Sequence, residues 1–285
     1  MKLLVFSRIL SPASKKRTFE QKDRYFEKMD FSPDDIYRAL SCLQMDLKDP
    51  LQQHIHRKTT EIYGRNAELV YYDVTNYYFE IDNQDNLRKK GVSKEHRPDP
   101  IFQMGLFTDS SGIPISYRLF PGNTNDSQTL IPVIAETKKN FGIKRTIVVA
   151  DKGFNTANNI AFNTIAGNGY VFSQSVRGAN KDLKNFVLDE SGYSALNDGF
   201  NKSRLYTREI SVTNKEGKKT KVSMEEKQVA IYSAKYDAKA KRDWAFSLSF
   251  VGLQTGKVMA QKLCFEVQQL QLKLVVVDQM TISLR

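Results

Sequence analysis

Residues 71–80 read YYDVTNYYFE, a run with the composition of a buried β-strand that nevertheless contains one acidic residue, Asp73. Tyr, Val and Thr favour strands, whereas Asp is depleted from them. An unpaired carboxylate among such side chains is costly to remove from water. Asp73 is therefore either exposed or compensated by a cation. A second carboxylate that could bind the same cation would favour the second possibility.

Asp151 supplies that second carboxylate. It directly follows the apolar run TIVVA and precedes KGF, so it lies at the carboxyl end of a predicted strand. Ligands of open α/β sheets bind at this end of the strands. If the strand of Asp73 lies beside the strand of Asp151, the two carboxylates project side by side. Oxygen-only ligation of this kind suits Mg²⁺ or Mn²⁺, which can support phosphoryl transfer.

Each carboxylate has a plainer interpretation. Asp151 could cap the following helix or close a strand-to-helix turn. Asp73 could be an exposed residue on an edge strand. Taken together with the predicted strand placement and the charge of the chain, the pair favours a metal site.

The formal net charge of +11 and the isoelectric point of about 9.4 favour a polyanionic partner such as nucleic acid. A basic protein with no such partner is the alternative. Cys42 and Cys264 lie far apart without metal-ligand spacing, which is typical of a reducing cytoplasm. The amino-terminal MKLLVF is too short for a signal-peptide core, and no apolar run is long enough for a membrane span.

The hydrophobic pattern predicts an α/β protein with a mixed sheet. Residues 1–69 form a helical, basic amino-terminal region for DNA binding, in which His54 and His56 belong to a solvated helix rather than a zinc site. The remaining segments are an α/β core, a β-rich insertion and an atypical carboxyl-terminal tail. Their predicted bounds are residues 70–176, 177–242 and 243–285.

Three stretches carry a family resemblance: YYDVTNYYFE, the segment GVSKEHRPDPIFQMGLFTDSSGIPISYRLFPGNTNDSQTL, and VVADKGF. With these motifs the chain resembles the DDE transposases of bacterial insertion sequences, in the IS-four-like group. The resemblance implies an RNase H-like catalytic core with a β-rich insertion. It also implies that Asp73 and Asp151 are the first two catalytic acids and ligands of Mg²⁺ (or Mn²⁺).

The implied activity is metal-dependent DNA cleavage and strand transfer during transposition. The implied partner is double-stranded DNA, as transposon ends and as target, bound by a homodimer in a synaptic complex, with no membrane involved. The segment Lys94–Arg97 predicts contacts from Lys94, His96 and Arg97 to DNA phosphates, and Lys152 beside Asp151 predicts another. The alternative for these residues is a solvated loop.

The chain departs from the family at the third catalytic acid. The family pattern Tyr-x2-Arg-x3-Glu-x6-Lys has no match, and its nearest counterpart is Glu266 with Lys273, which lacks the Tyr and the Arg. We take Glu266 as the candidate third acid. The departure also supports an alternative, in which the chain is a truncated or frameshifted, catalytically inactive DNA-binding remnant. Under that hypothesis the tail is foreign to the fold and has nothing to pack against. A basic structural or RNA-binding protein is a further alternative, which no RNA-binding motif supports.

Overall fold

The computed structural model divides the chain into two compact units, Met1–Arg65 and Asn66–Arg285. The residues that it describes are 1–25, 28, 30–45, 47–92, 98–176, 178–196, 199–213, 217–233, 235, 238 and 273–278.

The first unit is helical, as predicted. Its helix α3 begins where the backbone N–H and the hydroxyl of Ser32 both donate hydrogen bonds to Asp35, and α4 ends at Gly64 in the left-handed conformation. Leu3 and Ile36 form its buried apolar centre. The helices are α1 (Lys2–Leu10), α2 (Lys15–Glu20), α3 (Pro33–Met45) and α4 (Lys48–Tyr63).

The second unit is built on one mixed sheet. In the described residues the strand order is β3-β2-β1-β4-β5-β9-β8-β7-β6; β1, β4 and β5 are parallel, and all other neighbours are antiparallel. The elements are β1 (Leu69–Tyr78), β2 (Ile101–Asp109), β3 (Pro114–Pro121), α5 (Leu130–Phe141), β4 (Ile147–Ala150), α6 (Ala157–Ile165), β5 (Gly169–Gln174), α7 (Lys181–Leu188), β6 (Ser194–Leu196), β7 (Gly199–Thr213), β8 (Lys219–Ser233) and β9 (Lys273–Asp278).

The five strands from β3 to β5 form the mixed sheet that the family resemblance implies, so the predicted α/β, RNase H-like fold is confirmed. A hairpin turn at Gly112 joins β2 to β3, and Gly142 ends α5, both in the left-handed conformation that favours glycine. Apolar side chains of α5 and α6, including Leu130, Ile134 and Ile160, pack on one face of this sheet. Each fully buried aliphatic side chain of this kind contributes about 1.5–3 kcal/mol to the free energy of unfolding.

The β-rich insertion is also present, as the long hairpin of β7 and β8 with the short β6 beside it. The sequence pattern did not predict α7, which precedes these strands. Leu183 and Val187 of α7 are buried in the same core as the helices of the catalytic segment. One sheet therefore runs through both predicted segments.

The expectation that the tail has nothing to pack against is wrong for residues 273–278. These residues form β9, which pairs with β5 on one side and with β8 on the other. The run KLVVVD forms backbone hydrogen bonds with the edges of both β5 and β8. Without β9, the backbone N–H and C=O groups along these two edges would lack these partners.

Candidate active site

Asp73 lies near the middle of β1, on the exposed face of the strand. The buried side chains of β1 are Val70, Tyr72 and Val74, and the intervening positions face away from the core. Because successive side chains of a strand alternate between the faces, the carboxylate of Asp73 does not have to be buried. The edge-strand alternative is wrong, since β1 has β2 on one side and β4 on the other.

Asp151 follows β4 at the corresponding position. The last registered pair between the parallel strands is Tyr72 with Ala150. Asp73 directly follows Tyr72 in the chain, and Asp151 directly follows Ala150. Tyr72 and Ala150 are both buried, whereas Asp73 and Asp151 are both exposed. Neighbouring strands lie about 4.8 Å apart. The predicted proximity of the two strands is therefore confirmed, and the two aspartates share one face of the sheet.

The side chain of Asp151 does not cap the short 3-10 turn that follows it, Lys152–Phe154. Its Oδ1 instead accepts a hydrogen bond of 2.9 Å from the hydroxyl of Ser173 on β5. Ser173 follows Phe172, the registered partner of Ala150, so it continues the same row across the sheet. The row of Asp73, Asp151 and Ser173 crosses the three parallel strands, at the middle of β1 and at the carboxyl ends of β4 and β5.

An aromatic contact beneath this row joins the two segments that carry the carboxylates. Tyr72 precedes Asp73, and its ring meets the ring of Phe154 edge-on at 5.1 Å. The Tyr72 hydroxyl donates to the hydroxyl of Thr129 at 2.7 Å, and burial raises the pKa of this phenol well above its usual range. Tyr72 and Phe154 are both buried, so one packing contact fixes β1 and the turn after β4 together.

The turn after Asp151 is held by Asn155. Its Nδ2 donates to the Oε1 of Gln174 at 2.8 Å and to the carbonyl of Ser173 at 3.3 Å. Its Oδ1 accepts from the guanidinium of Arg208 on β7 at 2.9 Å. Sequence reasoning missed Ser173, Asn155 and Arg208, because their relation to Asp151 depends on strand register and on a hairpin that begins dozens of residues later.

The other predicted site residues are distributed as follows. Lys152 is exposed beside Asp151. Lys94, His96, Arg97 and Glu266 lie outside the described residues. Within the described part of the chain, no group of three or more His, Cys, Asp or Glu side chains is placed to hold a metal ion.

Both flanks of the segment that carries Lys94, His96 and Arg97 are attached to the carboxyl end of β1. On one flank the carbonyl of Val92 accepts a hydrogen bond of 3.3 Å from Asn76, and on the other the carbonyl of Pro100 accepts from the N–H of Phe79 at 2.9 Å. Asn76 and Phe79 follow Asp73 closely in the chain. The described ends of the segment thus start and finish near the strand that carries the first aspartate.

His54 and His56 in α4 each face an arginine. The guanidinium of Arg57 lies 3.1 Å from Nδ1 of His54, and that of Arg65 lies 3.1 Å from Nδ1 of His56. A ring nitrogen that accepts from an arginine cannot also bind a metal. No helix of the described residues is long and apolar enough to cross a bilayer.

Comparison with known proteins places the chain in a family. A family model described as the transposase DDE domain matches residues 81–246, which is more than half of the chain. The chain therefore belongs to the transposase DDE-domain family. Asp151 lies within the matched residues, and Asp73 lies before them. A search of curated proteins found no match.

Three solved structures illustrate the structural similarities. The Mos1 transposase paired-end complex with the left transposon end is 14% identical, with a TM-score of 0.27 over 59% of this chain and 56% of that chain. The piggyBac transposase synaptic complex with hairpin DNA is 11% identical, with a TM-score of 0.35 over 78% and 49%. The Mos1 mariner paired-end complex with Mn is 14% identical, with a TM-score of 0.24 over 57% and 55%. The matches span about half the length of those proteins.

Proposed function

We propose that this chain is a DNA transposase of the DDE type, from the IS-four-like group of insertion sequences. It would bind transposon ends and carry out metal-dependent cleavage and strand transfer. The observation that carries the proposal is the register of β1 and β4, which puts Asp73 and Asp151 at equivalent positions on one exposed sheet face. Membership of the transposase DDE-domain family supports it.

The two aspartates fit a divalent metal site by their chemistry. They offer only oxygen donors, and like charges on adjacent strands favour a cation between them. The hydroxyl of Ser173 holds one oxygen of Asp151 and so fixes the orientation of that carboxylate. Bound there, Mg²⁺ or Mn²⁺ would supply activation of a water or a 3′ hydroxyl and stabilisation of the leaving oxygen.

The residues of the chain would position the DNA around this pair. Lys152 is exposed next to Asp151 and can neutralise a phosphate close to the reacting group. Lys94, His96 and Arg97 belong to a segment whose described flanks are tied to the end of β1, near Asp73. Binding of two ends by a homodimer in a synaptic complex completes the proposal.

A catalytically inactive DNA-binding remnant is the second candidate function. It is favoured by the absence, in the described residues, of a third acidic side chain beside Asp73 and Asp151. Mg²⁺ often keeps several waters and binds through one or two carboxylates, so two aspartates can still hold a metal. In the active protein, we assign the third position to Glu266.

Nicking and strand-transfer assays separate the two candidates. The substrate is a supercoiled plasmid that carries the DNA flanking this gene, incubated with the full chain and Mn²⁺. We expect nicked and joined products from the active protein. A remnant would shift the plasmid in a binding assay and leave it uncut in Mn²⁺ and in Mg²⁺.

The substitution Asp73→Asn tests the role of the first carboxylate. It should abolish Mn²⁺-dependent nicking, since an amide oxygen is a much weaker metal ligand, while DNA affinity stays within about twofold because no phosphate contact is lost. Glu225→Gln on β8 is the matched control, since it removes an exposed carboxylate from the same sheet without touching the aspartate row. Equal loss of nicking and of DNA binding in Asp73→Asn would point to a folding role instead.

A further inference from the structure

Arg208 of β7 bridges the β-rich hairpin and the turn that follows Asp151. Its Nη1 donates to Oδ1 of Asn155 at 2.9 Å and lies 3.6 Å from Oε2 of Glu226 on β8. The guanidinium is a planar group with five donors in fixed directions, so two such contacts fix its orientation.

Glu226 explains why Arg208 is held so firmly. Its side chain is only 2% exposed, and its Oε1 accepts a hydrogen bond of 3.0 Å from Gln228. A buried carboxylate without a cation is destabilising, so the pairing with Arg208 stabilises the hairpin. The contact with Glu226 therefore favours the position of Arg208 in which the guanidinium also reaches Asn155.

Asn155 links Arg208 to the row of Asp73, Asp151 and Ser173. Its side chain binds Arg208 on one side and the end of β5 on the other, through Gln174 and the carbonyl of Ser173. Ser173 is also the residue whose hydroxyl holds Asp151. The turn between Asp151 and Asn155 is thus fixed at both of its ends.

We propose that Arg208 is a positioning residue, which sets the placement of Asp151 through Asn155 and so couples the β7–β8 hairpin to the active site. This inference rests on the proposed function for the role of Asp151. It assigns the β-rich insertion a part in arranging the catalytic row. Such placement is consequential, because displacement of a catalytic group by about 1 Å can reduce a rate by about a hundredfold.

Arg204 provides a matched control on the same strand. It lies four residues before Arg208 on the same face of β7, and it binds Asp182 of α7 and Gln228 of β8 rather than Asn155. Replacing either arginine removes one cation and its contacts within the hairpin. A difference between the two variants therefore reports the link to Asn155.

Hydrogen exchange of the full chain, without DNA or metal, tests the proposal. The amides of Phe154, Asn155 and Thr156 donate within the turn and are measurable reporters. Arg208→Ala should accelerate their exchange about tenfold, as expected for loss of one charge-assisted hydrogen bond, and should leave the amides of β1 unchanged. Arg204→Ala should leave the turn unchanged.

A double variant guards against misfolding of Arg208→Ala. Arg208→Met with Glu226→Gln removes the ion pair as a unit and keeps an acceptor for Gln228. The proposal predicts the same local acceleration in this variant. It is overturned if the turn amides keep their wild-type rates in the double variant, or if all amides of the sheet accelerate together, which would mark a purely structural role.

The hydrogen-exchange test does not depend on whether the chain has transposase activity. A wild-type chain that cuts no DNA would overturn the transposase activity and leave the link between Arg208 and the turn intact. In an active chain, Arg208→Ala should lower the single-turnover nicking rate about tenfold or more, and Arg204→Ala should not. Equal rates for the two variants would overturn the coupling to catalysis.

Discussion

At the scale of single residues, Tyr72 packs closely against Gly105 beneath the row of Asp73, Asp151 and Ser173. A Cβ at Gly105 of β2 would lie 2.2 Å from the Tyr72 hydroxyl and 3.0 Å from its Cζ. Tyr72 cannot retreat easily, because its hydroxyl is bonded to Thr129 and its ring packs on Phe154. The glycine thus provides the space that lets the tyrosine anchor the strand of Asp73.

Gly105→Ala should lower the free energy of unfolding by about 1–3 kcal/mol, because the added methyl group overpacks a filled site. Urea denaturation followed by circular dichroism measures this loss. Adding Tyr72→Phe, which removes the nearest atom, should recover part of it. Gly178→Ala is the control, since a Cβ there meets nothing within 4 Å. Equal losses at Gly105 and Gly178, or no recovery in the double variant, would contradict the prediction.

His56 makes the helical unit sensitive to acid. Burial, and then the charge of Arg65, lower the pKa of the His56 imidazole below its usual range. The folded state therefore resists protonation at a pH where the unfolded chain accepts a proton. Stability is constant above the ordinary histidine pKa and falls as the pH drops below it, between about pH 7 and pH 5.

Thermal unfolding of the full chain across this pH range, followed by circular dichroism, measures the effect. His56→Gln should flatten the decline, because the titrating group is gone. His54→Gln should not, since His54 lies on the exposed side of α4 with a similar arginine contact. A decline that is unchanged in His56→Gln would assign the acid sensitivity to other groups.

Asp73 and Asp151 could be found from the sequence because each interrupts or follows a strongly β-forming run, and this signal is local. Ser173 and Asn155 carried no such signal, since polar residues near strand ends are common. What distinguishes them is the register of β4 and β5 and the reach of Arg208. Both are features of the tertiary structure, which the local sequence does not determine.

At the scale of elements, β9 connects the two parts of the sheet. It lies between β5 and β8, and Val275 is registered with Ser173 on one side and with Val229 on the other. Its position could not be predicted, because a six-residue apolar run is compatible with several structures. Its strand conformation is determined by pairing with β5 and β8, both of which lie far away in the chain. The same non-local origin explains why the pattern missed α7, whose apolar face matches a surface formed by other elements.

Val275→Pro should separate the hairpin from the core. Proline lacks the N–H that a central strand donates to its neighbour, and it is tolerated mainly at sheet edges. Hydrogen exchange should accelerate about tenfold or more in β5 and β8, while β1 and β2, which do not touch β9, serve as the internal control. Unchanged exchange in β5 and β8 would mean that β9 contributes little to the sheet.

At the scale of the whole molecule, the proposed binding of DNA would depend on the formal net charge of +11. Duplex affinity should fall by about a hundredfold between about 50 and 200 mM salt if about four phosphates are neutralised, because binding releases condensed counterions. Fluorescence anisotropy at a series of salt concentrations gives the slope. Affinity that stays flat over this range would argue against phosphate-dominated binding.

Two lysine variants locate the contacts. Lys94→Gln should reduce the slope by about 0.9, the value for one phosphate contact. Lys144→Gln is the control. This exposed lysine precedes the amino end of β4, whereas Asp151 follows its carboxyl end. A slope that changes equally in both variants would indicate a diffuse basic surface.

The insertion of β9 between β5 and β8 also sets the order in which the protein can be built. During translation, β1 to β5 emerge first and the β7–β8 hairpin follows, but the two cannot form one sheet until residues 273–278 have left the ribosome. Until then, β5 and β8 each present an open edge to other nascent chains, and such edges template aggregation. The pairing of β9 closes both of these edges at once in the folded sheet.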